Sequence, residues 1–175
     1  MQRTVGSASI VIVTAIISAG YSRGVGVANA AARAHPVQTK AATPAPSDAC
    51  SLLTKQDAAA ALGEAVSGPE SRPARSLGPG NTASSCEYTG SGLHKVHLNL
   101  MRLSPDTAAI YRGFCAQKGK EGLSGLGDVT CWYSEKHEEL QVLKGTTFFS
   151  IELRRSGNPT EAIKGVAKRV FDQLR

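Results

Sequence analysis

The chain has 175 residues, of which 41% are hydrophobic, 19% charged and 5% aromatic. This length allows a single domain, and the composition excludes a transmembrane bundle, a collagen and a coiled coil. The formal net charge is +6 at pH 7. If an N-terminal segment carrying Arg3 and Arg23 is removed, 18 basic residues remain against 14 acidic ones, and the net charge falls to +4.

Residues 1–30 have the pattern of a secretory signal peptide. Arg3 precedes an apolar run over residues 8–17, and Ala28-Asn29-Ala30 has the small-x-small pattern of a cleavage site, with a second at residues 30–32. The apolar run is about half of the roughly 20 residues that span a bilayer. No Cys lies in or just after this segment, which excludes a lipid anchor on such a Cys. We therefore expect a secreted or periplasmic protein.

A flexible tether is predicted over residues 31–47, where Ala, Pro, Thr and Lys occur without hydrophobic periodicity. A single folded domain is predicted over residues 48–175. All four cysteines lie within this domain, at positions 50, 86, 115 and 131. An even number of cysteines in an exported chain predicts two disulfides. Three pairings are open, of which the most local joins Cys50 to Cys86 and Cys115 to Cys131.

The first helix is predicted to begin after Thr54, whose hydroxyl can cap the backbone together with Asp57, and to end at Gly63. Residues 63–85 contain Gly, Pro, Ser and Arg without periodicity. They predict an irregular loop that is either disordered or an interaction surface. A hairpin follows, with a short strand over 86–89, a turn over 90–92 and a strand over 96–101. Alternation divides this last strand into Val96, Leu98 and Leu100 on one face and His97, Asn99 and Met101 on the other.

Ser104-Pro105 predicts the start of a second helix, because Ser caps the backbone and Pro is favoured at the first helical position. Its expected buried face comprises Ile110, Tyr111, Phe114 and Cys115, and its expected end lies at Gly119 and Gly122. A glycine-rich crossing over 123–128 leads to strands expected over 129–133, 138–143 and 146–154. In the last strand, one face is expected to carry Phe149, Ile151 and Leu153. The other face is expected to carry Phe148, Ser150, Glu152 and Arg154.

The last helix is predicted to begin at Asn158-Pro159, with Glu161 in the first turn. Its apolar stripe comprises Ile163, Val166, Ala167, Val170, Phe171 and Leu174. The order helix, hairpin, helix, three strands and helix predicts an α+β domain of two layers, an antiparallel sheet with the helices packed mainly on one face. Cys86-Glu87-Tyr88 and Cys131-Trp132-Tyr133 resemble each other, which leaves open that the domain contains two related, disulfide-stapled helix–hairpin units.

Two stretches resemble a known protein class. The first is Asp48-Ala49-Cys50-Ser51-Leu52-Leu53-Thr54, followed by an Ala-rich helix and Leu62-Gly63. The second is Gly125-Leu126-Gly127-Asp128 before Cys131, with Val142-Leu143-Lys144-Gly145 leading into a long strand. Over residues 48–175 the chain resembles the exported bacterial domains of the DUF3558-like secreted proteins and lipoproteins. The resemblance implies an exported domain and assigns no catalytic residue to this chain.

The sequence contains no motif of established catalytic chemistry. A nucleophile elbow, Gly-x-Ser-x-Gly, is absent around Ser124, because Leu126 stands where the motif requires its second glycine. A phosphate loop is absent as well, because Gly125-Leu126-Gly127-Asp128 lacks the Lys-Ser/Thr of that motif and precedes a strand. We therefore expect no catalytic residues and no cofactor, although a secreted enzyme with an unrecognised site remains an alternative.

Neither a metal ion nor a nucleic acid is the expected partner. Four residues cluster near a hairpin tip, and a solvated turn explains them better than a metal site: Glu135, His137, Glu138 and Glu139. The basic residues are scattered and largely offset by acidic ones, which disfavours nucleic acid. A weak contact with an anionic envelope surface fits this charge better.

The preferred hypothesis is an exported, non-enzymatic domain that binds a small-molecule ligand or a protein partner. The expected binding surface combines the segment 63–85 with an exposed side of the sheet. Its candidate residues are Tyr88, Trp132, Tyr133, Arg72 and Arg75. A structural protein associated with the cell envelope is the third hypothesis.

Overall fold

The computed structural model describes residues 48–117 and 124–174. The predicted signal peptide (1–30), the predicted tether (31–47) and the glycines expected to end the second helix, Gly119 and Gly122, lie outside the described residues. Within the two described ranges, no helix is long and apolar enough to cross a membrane.

Three α-helices and six strands are present in these ranges, after a short 3-10 turn at Ala49–Ser51. The helices are α1 (Lys55–Leu62), α2 (Pro105–Gln117) and α3 (Thr160–Gln173). The strands are β1 (Ser67–Gly78), β2 (Asn81–Thr89), β3 (Lys95–Arg102), β4 (Val129–Trp132), β5 (Glu139–Lys144) and β6 (Thr147–Arg154).

The six strands form one sheet in the order β1-β2-β3-β6-β5-β4, and every neighbouring pair is antiparallel. The α+β prediction is confirmed. Two of the three helices, α1 and α3, pack on one face of the sheet over the main hydrophobic core. The third helix, α2, packs on the opposite face against a smaller cluster formed by Leu103, Ala108, Leu143 and Phe148.

Strand alternation divides the two cores as predicted. Val96, Leu98 and Leu100 of β3 are buried in the main core, as are Phe149, Ile151 and Leu153 of β6. The register pairs these residues directly, for example Leu98 with Ile151. The predicted apolar stripe of α3 is also confirmed, because all of its six residues are buried in the same core. The apolar side chains of β3, β6 and α3 thus pack together on one face of the sheet and form the main core.

The predicted cap of α1 is present as a full capping box. The Asp57 backbone N–H donates to the Thr54 hydroxyl at 3.1 Å, and the Thr54 backbone N–H donates to the Asp57 carboxylate at 3.2 Å. The Asp57 carboxylate also lies 2.8 Å from the Arg169 guanidinium of α3. One carboxylate therefore both starts α1 and ties it to α3.

Both predicted disulfides form, with the local pairing. Cys50 joins the 3-10 turn to Cys86 of β2, and Cys115 of α2 joins Cys131 of β4. Their sequence separations are 36 and 16 residues. Loops of this size correspond to about 4 and about 3 kcal/mol in the chain-entropy account of disulfide stabilisation. The second bridge holds α2 on the face opposite the main core.

The chain divides into two units of three strands, and the third strands of the units, β3 and β6, pair at the centre of the sheet. Each unit is followed by a helix. However, Cys86 lies in the second strand of the first unit, whereas Cys131 lies in the first strand of the second unit. The two Cys-x-Tyr segments therefore occupy different places in the sheet, and they do not align the two units.

The prediction of an irregular loop over residues 63–85 is wrong. Residues 67–78 form β1, which pairs with β2, and β2 itself begins at Asn81, before the predicted residue 86. All residues of β1 are exposed. Because neither face of this edge strand is buried, the strand does not need an apolar residue at every second position. Its sequence therefore lacks the alternation by which a strand is predicted.

The predicted buried face of α2 is only partly correct. Cys115 is buried, but Ile110 is 71% exposed, and Tyr111 and Phe114 are half-buried. The helix contacts β4 and β5 near one end of the sheet. Part of its apolar face therefore extends beyond the cluster that covers it.

Candidate functional site

The aromatic residues predicted to form one exposed surface lie on different faces of the sheet. Tyr88 and Trp132 are only 4% and 5% exposed and belong to the main core. The expectation that they are exposed is therefore wrong, because their strand positions face α1 and α3. Tyr133 is 51% exposed on the opposite face, next to Phe114 of α2. Of the three, only Tyr133 lies where a ligand can reach it.

Arg72 and Arg75 are exposed on β1 and do not adjoin Tyr133, which follows β4 at the far edge of the sheet. The register places Arg72 beside Ser85 and Arg75 beside Ala83. Pro69 and Pro73 interrupt the outer edge of β1, and its pairing with β2 shifts register three times. Prolines and bulges protect a sheet edge from pairing with another strand. This edge is therefore poorly suited to binding an extended peptide.

A groove of about 290 Å³ lies between α2 and the sheet on the face opposite the main core. We call it the α2 groove. Its lining residues are Ile110, Tyr111, Phe114, Tyr133 and Gln141. Three come from α2, one follows β4 and one belongs to β5. The Cys115–Cys131 disulfide joins the two elements that form its walls.

Aromatic rings provide most of the groove wall. The rings of Phe114 and Tyr133 are 6.2 Å apart between centroids, with planes tilted by 34°. Tyr111 packs at 4.4 Å on Phe148 of β6 and is thereby held against the sheet. These contacts place aromatic faces on both sides of a partly open apolar site, which is the usual lining of a small-molecule pocket.

Gln141 supplies the polar group of the groove. Its side chain is 6% exposed, and its amide nitrogen donates to the Glu139 carboxylate at 3.3 Å. Its carbonyl oxygen, Oε1, is buried and accepts no hydrogen bond. It is the single buried side-chain oxygen or nitrogen in the described ranges without a partner. A buried acceptor left unpaired costs about 1–3 kcal/mol, so it marks a position where a donor would be stabilising.

Sequence reasoning missed Gln141, and it assigned Ile110 and Phe114 to a buried helix face. One signal was present in the sequence, since Gln141 is a polar residue within the apolar run Leu140-Gln141-Val142-Leu143. A polar residue at a buried position of a strand requires a partner. The pattern did not reveal that α2 crosses this strand on the side of Gln141.

The rest of this sheet face is polar and carries a row of charges across neighbouring strands. The register places Glu70, Glu87, His97, Glu152 and Glu139 side by side. Burial lowers the pKa of His97 below its usual range, and the nearby carboxylates of Glu87 and Glu152 oppose this effect. His97 is thus disposed to remain neutral among carboxylates.

Lys95 and Arg154 neutralise part of this row. The Lys95 ammonium lies 3.0 Å from Glu87 and 3.9 Å from Glu152, and the Arg154 guanidinium lies 2.6 Å from Glu152. Glu139 has no ion pair within the described residues, and its carboxylate accepts from Gln141. In the part of the chain that the structure describes, no basic side chain therefore pairs with Glu139, which lies two residues from Gln141 on β5.

A second polar cluster ties the end of α1 to the turn between β2 and β3. The Glu64 carboxylate accepts from the Ser91 hydroxyl at 2.6 Å and from the Ser91 backbone N–H at 3.1 Å, and it lies 2.8 Å from His94 Nδ1. These hydrogen bonds from Ser91 and His94 lower the pKa of Glu64 from 4.5 to about 2. Because these groups form hydrogen bonds with one another, the cluster holds the turn between β2 and β3 against the end of α1.

Of the residues considered for metal binding, Glu135, His137 and Glu138 lie in the connection between β4 and β5, and Glu139 begins β5. His137 stacks on the Trp132 ring at 4.6 Å between centroids, so its ring takes part in packing. Across residues 48–117 and 124–174, no group of three or more His, Cys, Asp or Glu residues is arranged to hold a metal ion.

Comparison with known proteins gives no relative for this chain. No model of a known protein family matches it, and neither the curated proteins nor the solved structures contain a significant match.

Proposed function

We propose that this protein is a non-enzymatic binding domain that holds a small amphiphilic ligand in the α2 groove. The observation that carries the proposal is the unpaired Gln141 Oε1 beside an apolar, aromatic wall. A site that orients a ligand with few polar groups among apolar ones has this composition. The groove volume of about 290 Å³ is near the lower limit of ligand pockets, which favours a compact ligand.

The covalent framework supports a rigid site. The Cys115–Cys131 disulfide fixes α2 relative to β4, and Tyr111 packs on Phe148 beneath it. A preformed groove loses little conformational entropy when a ligand enters, and therefore more of the contact energy appears as affinity. This is the reason to assign the binding site to the α2 groove and not to the exposed edge strand β1.

We propose further that the domain acts outside the cytoplasm, as an exported protein of the DUF3558-like type. The signal-peptide pattern of residues 1–30 and the two disulfides support export. Mass analysis of the protein recovered from the periplasm or medium of a bacterial host tests this step. A new N-terminus near residue 31 is expected, and recovery of only the uncleaved chain in the cytoplasm would contradict it.

The binding proposal is tested with three phenyl-bearing probes of similar size: 2-phenylethanol, 2-phenylethylammonium and 3-phenylpropanoate. Titration into the oxidised full chain, followed by NMR, is expected to give saturable shifts at Tyr133 and at the Gln141 side-chain amide with at least one probe. Shifts confined to other parts of the domain, or no saturable binding of any probe, would refute the proposal.

Two exposed apolar residues provide a matched pair of variants. Ile110 lines the groove, whereas Leu93 is 89% exposed in the turn between β2 and β3. Ile110→Ser is expected to weaken probe binding about fivefold, since the lost apolar contact is worth about 1 kcal/mol. Leu93→Ser is expected to leave binding unchanged. Equal losses in both variants would indicate non-specific adsorption to apolar surface.

A further inference from the structure

The polar groups at the base of the α2 groove that a ligand can use are hydrogen-bond acceptors. The amide nitrogen of Gln141 is already engaged by the Glu139 carboxylate, which fixes the amide so that Oε1 is the group left unpaired. A ligand that satisfies this oxygen must donate a hydrogen bond. A ligand carboxylate or phosphate in the same place would bring two acceptors together and leave both unsatisfied.

The local charge favours a positively charged donor. Glu139 lies two residues before Gln141 on the same face of β5, and it forms no ion pair in the described ranges. Two bases on this face, Lys95 and Arg154, are paired with carboxylates of β2 and β6, and a third, Arg72, lies near His97. A cation in the groove would therefore meet a carboxylate that has no ion-pair partner among residues 48–117 and 124–174, whereas an anion would be repelled.

The aromatic wall favours the same ligand. Ring faces carry partial negative charge, and a cation within about 6 Å of a ring centroid is attracted to it. Tyr111, Phe114 and Tyr133 line the groove together, so a positively charged group and an adjoining apolar group can both be accommodated. The Arg112 guanidinium on the same helix is already paired, since it donates to the Gly145 carbonyl oxygen at 3.0 Å and lies 3.8 Å from the Asp128 carboxylate.

From these three features we infer that the α2 groove selects a primary or secondary organic ammonium ion that carries a compact apolar group about the size of a phenyl ring. The ammonium N–H donates to Gln141 Oε1 near the Glu139 carboxylate, and the apolar group lies against Phe114 and Tyr133. Since Oε1 exposes less than 1 Å², the donor reaches it with a rotation of the Gln141 side chain, while the Cys115–Cys131 disulfide keeps the backbone of the groove in place. This inference rests on the proposed function and specifies its ligand class.

The test compares four probes with matched shape on the oxidised full chain: 2-phenylethylammonium, 2-phenylethanol, 3-phenylpropanoate and 2-phenylethyltrimethylammonium. The first has charge and N–H donors, the second a neutral donor, the third a negative charge, and the fourth a charge without a donor. Calorimetry gives affinities, and NMR locates the probe. We expect 2-phenylethylammonium to bind at least about tenfold more tightly than the other three, since hydrogen bonds to charged groups are the strong ones.

Two variants separate the two interactions. Gln141→Met removes the acceptor at nearly constant volume, and it is expected to weaken 2-phenylethylammonium about tenfold while changing the trimethylammonium probe less than about threefold. Glu139→Gln removes the charge, and it is expected to reduce the preference for both cations over 2-phenylethanol. Thermal unfolding of each variant shows whether it retains the fold, and Leu93→Ser serves as the unaffected control.

The outcomes distinguish this inference from the proposed function. If 2-phenylethanol or 3-phenylpropanoate binds the groove as tightly as 2-phenylethylammonium, the ligand class is wrong and the groove remains a binding site. If no probe binds there, both proposals are wrong.

Discussion

Replacement of Gln141 by Met is expected to make the protein more stable while weakening its proposed site. The carbonyl oxygen of Gln141 exposes less than 1 Å² and has no hydrogen-bond partner. Native proteins rarely keep such a group, because the water that it lost on folding is not replaced. Met has a similar length and volume and carries no group that needs a donor.

The expected change in the free energy of unfolding of Gln141→Met follows from two opposing contributions. Relief of the unpaired acceptor contributes about 1–3 kcal/mol, and loss of the 3.3 Å hydrogen bond to Glu139 costs about 0.5–1 kcal/mol. The net gain in the free energy of unfolding is therefore about 1 kcal/mol. For a domain extending from residue 48 to 174, this corresponds to a rise in Tm of about 4 °C.

Ser84 provides the matched control, because it is a buried polar residue that does have a partner. Its hydroxyl accepts from the Ala49 backbone N–H at 3.0 Å, and it is 3% exposed. Ser84→Ala leaves that N–H unpaired and is expected to lower the free energy of unfolding by about 1–2 kcal/mol. Both variants are measured by thermal and urea unfolding of the oxidised chain, followed by circular dichroism.

One result would refute the reasoning. If Gln141→Met lowers the free energy of unfolding as much as Ser84→Ala does, the Gln141 carbonyl is satisfied in solution and does not signal a ligand. An increase in stability together with loss of ammonium binding would instead show that Gln141 is maintained at a cost to the fold. Such an exchange of stability for function is common at binding sites.

The structure leads to three further predictions. Replacing Cys115 and Cys131 together by Ser is expected to lower the free energy of unfolding by about 3 kcal/mol; urea titration measures this, and an unchanged midpoint would contradict it. The low Glu64 pKa predicts a stabilising contribution that is complete above pH 4.5 and lost as the pH falls towards 2. The stability difference between the wild type and Glu64→Gln should therefore disappear over that interval, and a constant difference would oppose the assignment. Gly127→Ala is expected to destabilise the fold by more than about 2 kcal/mol, because its Cβ would lie 2.5 Å from a β5 carbonyl oxygen at a φ of +68°. Gly125→Ala, with a φ of +88° and no neighbour within 4 Å, is expected to cost only about 1 kcal/mol, and equal losses would exclude the steric cause.

Local sequence signals predicted the elements whose determinants are close together in the chain. The Thr54–Asp57 cap and the stripe of α3 depend on contacts within a few residues, and both are present. Alternation also assigned the faces of β3 and β6, because every second residue of each strand contributes to the main core. The prediction of two disulfides required only the cysteine count and the predicted export signal, whereas the pairing required the fold.

The missed strand and the misplaced aromatic residues have a common cause. β1 lacks alternation because neither of its faces is buried, and its pairing with β2 is visible only in the folded sheet. Trp132 and Tyr133 are adjacent in sequence, and the strand places them on opposite faces. Sequence alone does not state which of two neighbouring aromatic residues faces the core when both faces carry apolar groups.

The sequence by itself determined the class of domain, its disulfide chemistry, its strongest helices and the two faces of its central strands, because these properties depend on composition and short-range periodicity. Only the tertiary structure decided that α2 packs on the face opposite α1 and α3. That crossing brings Ile110, Phe114 and Tyr133 to Gln141 and forms the groove. The site depends on contacts between residues that are distant in the chain, and such contacts leave no local periodicity in the sequence.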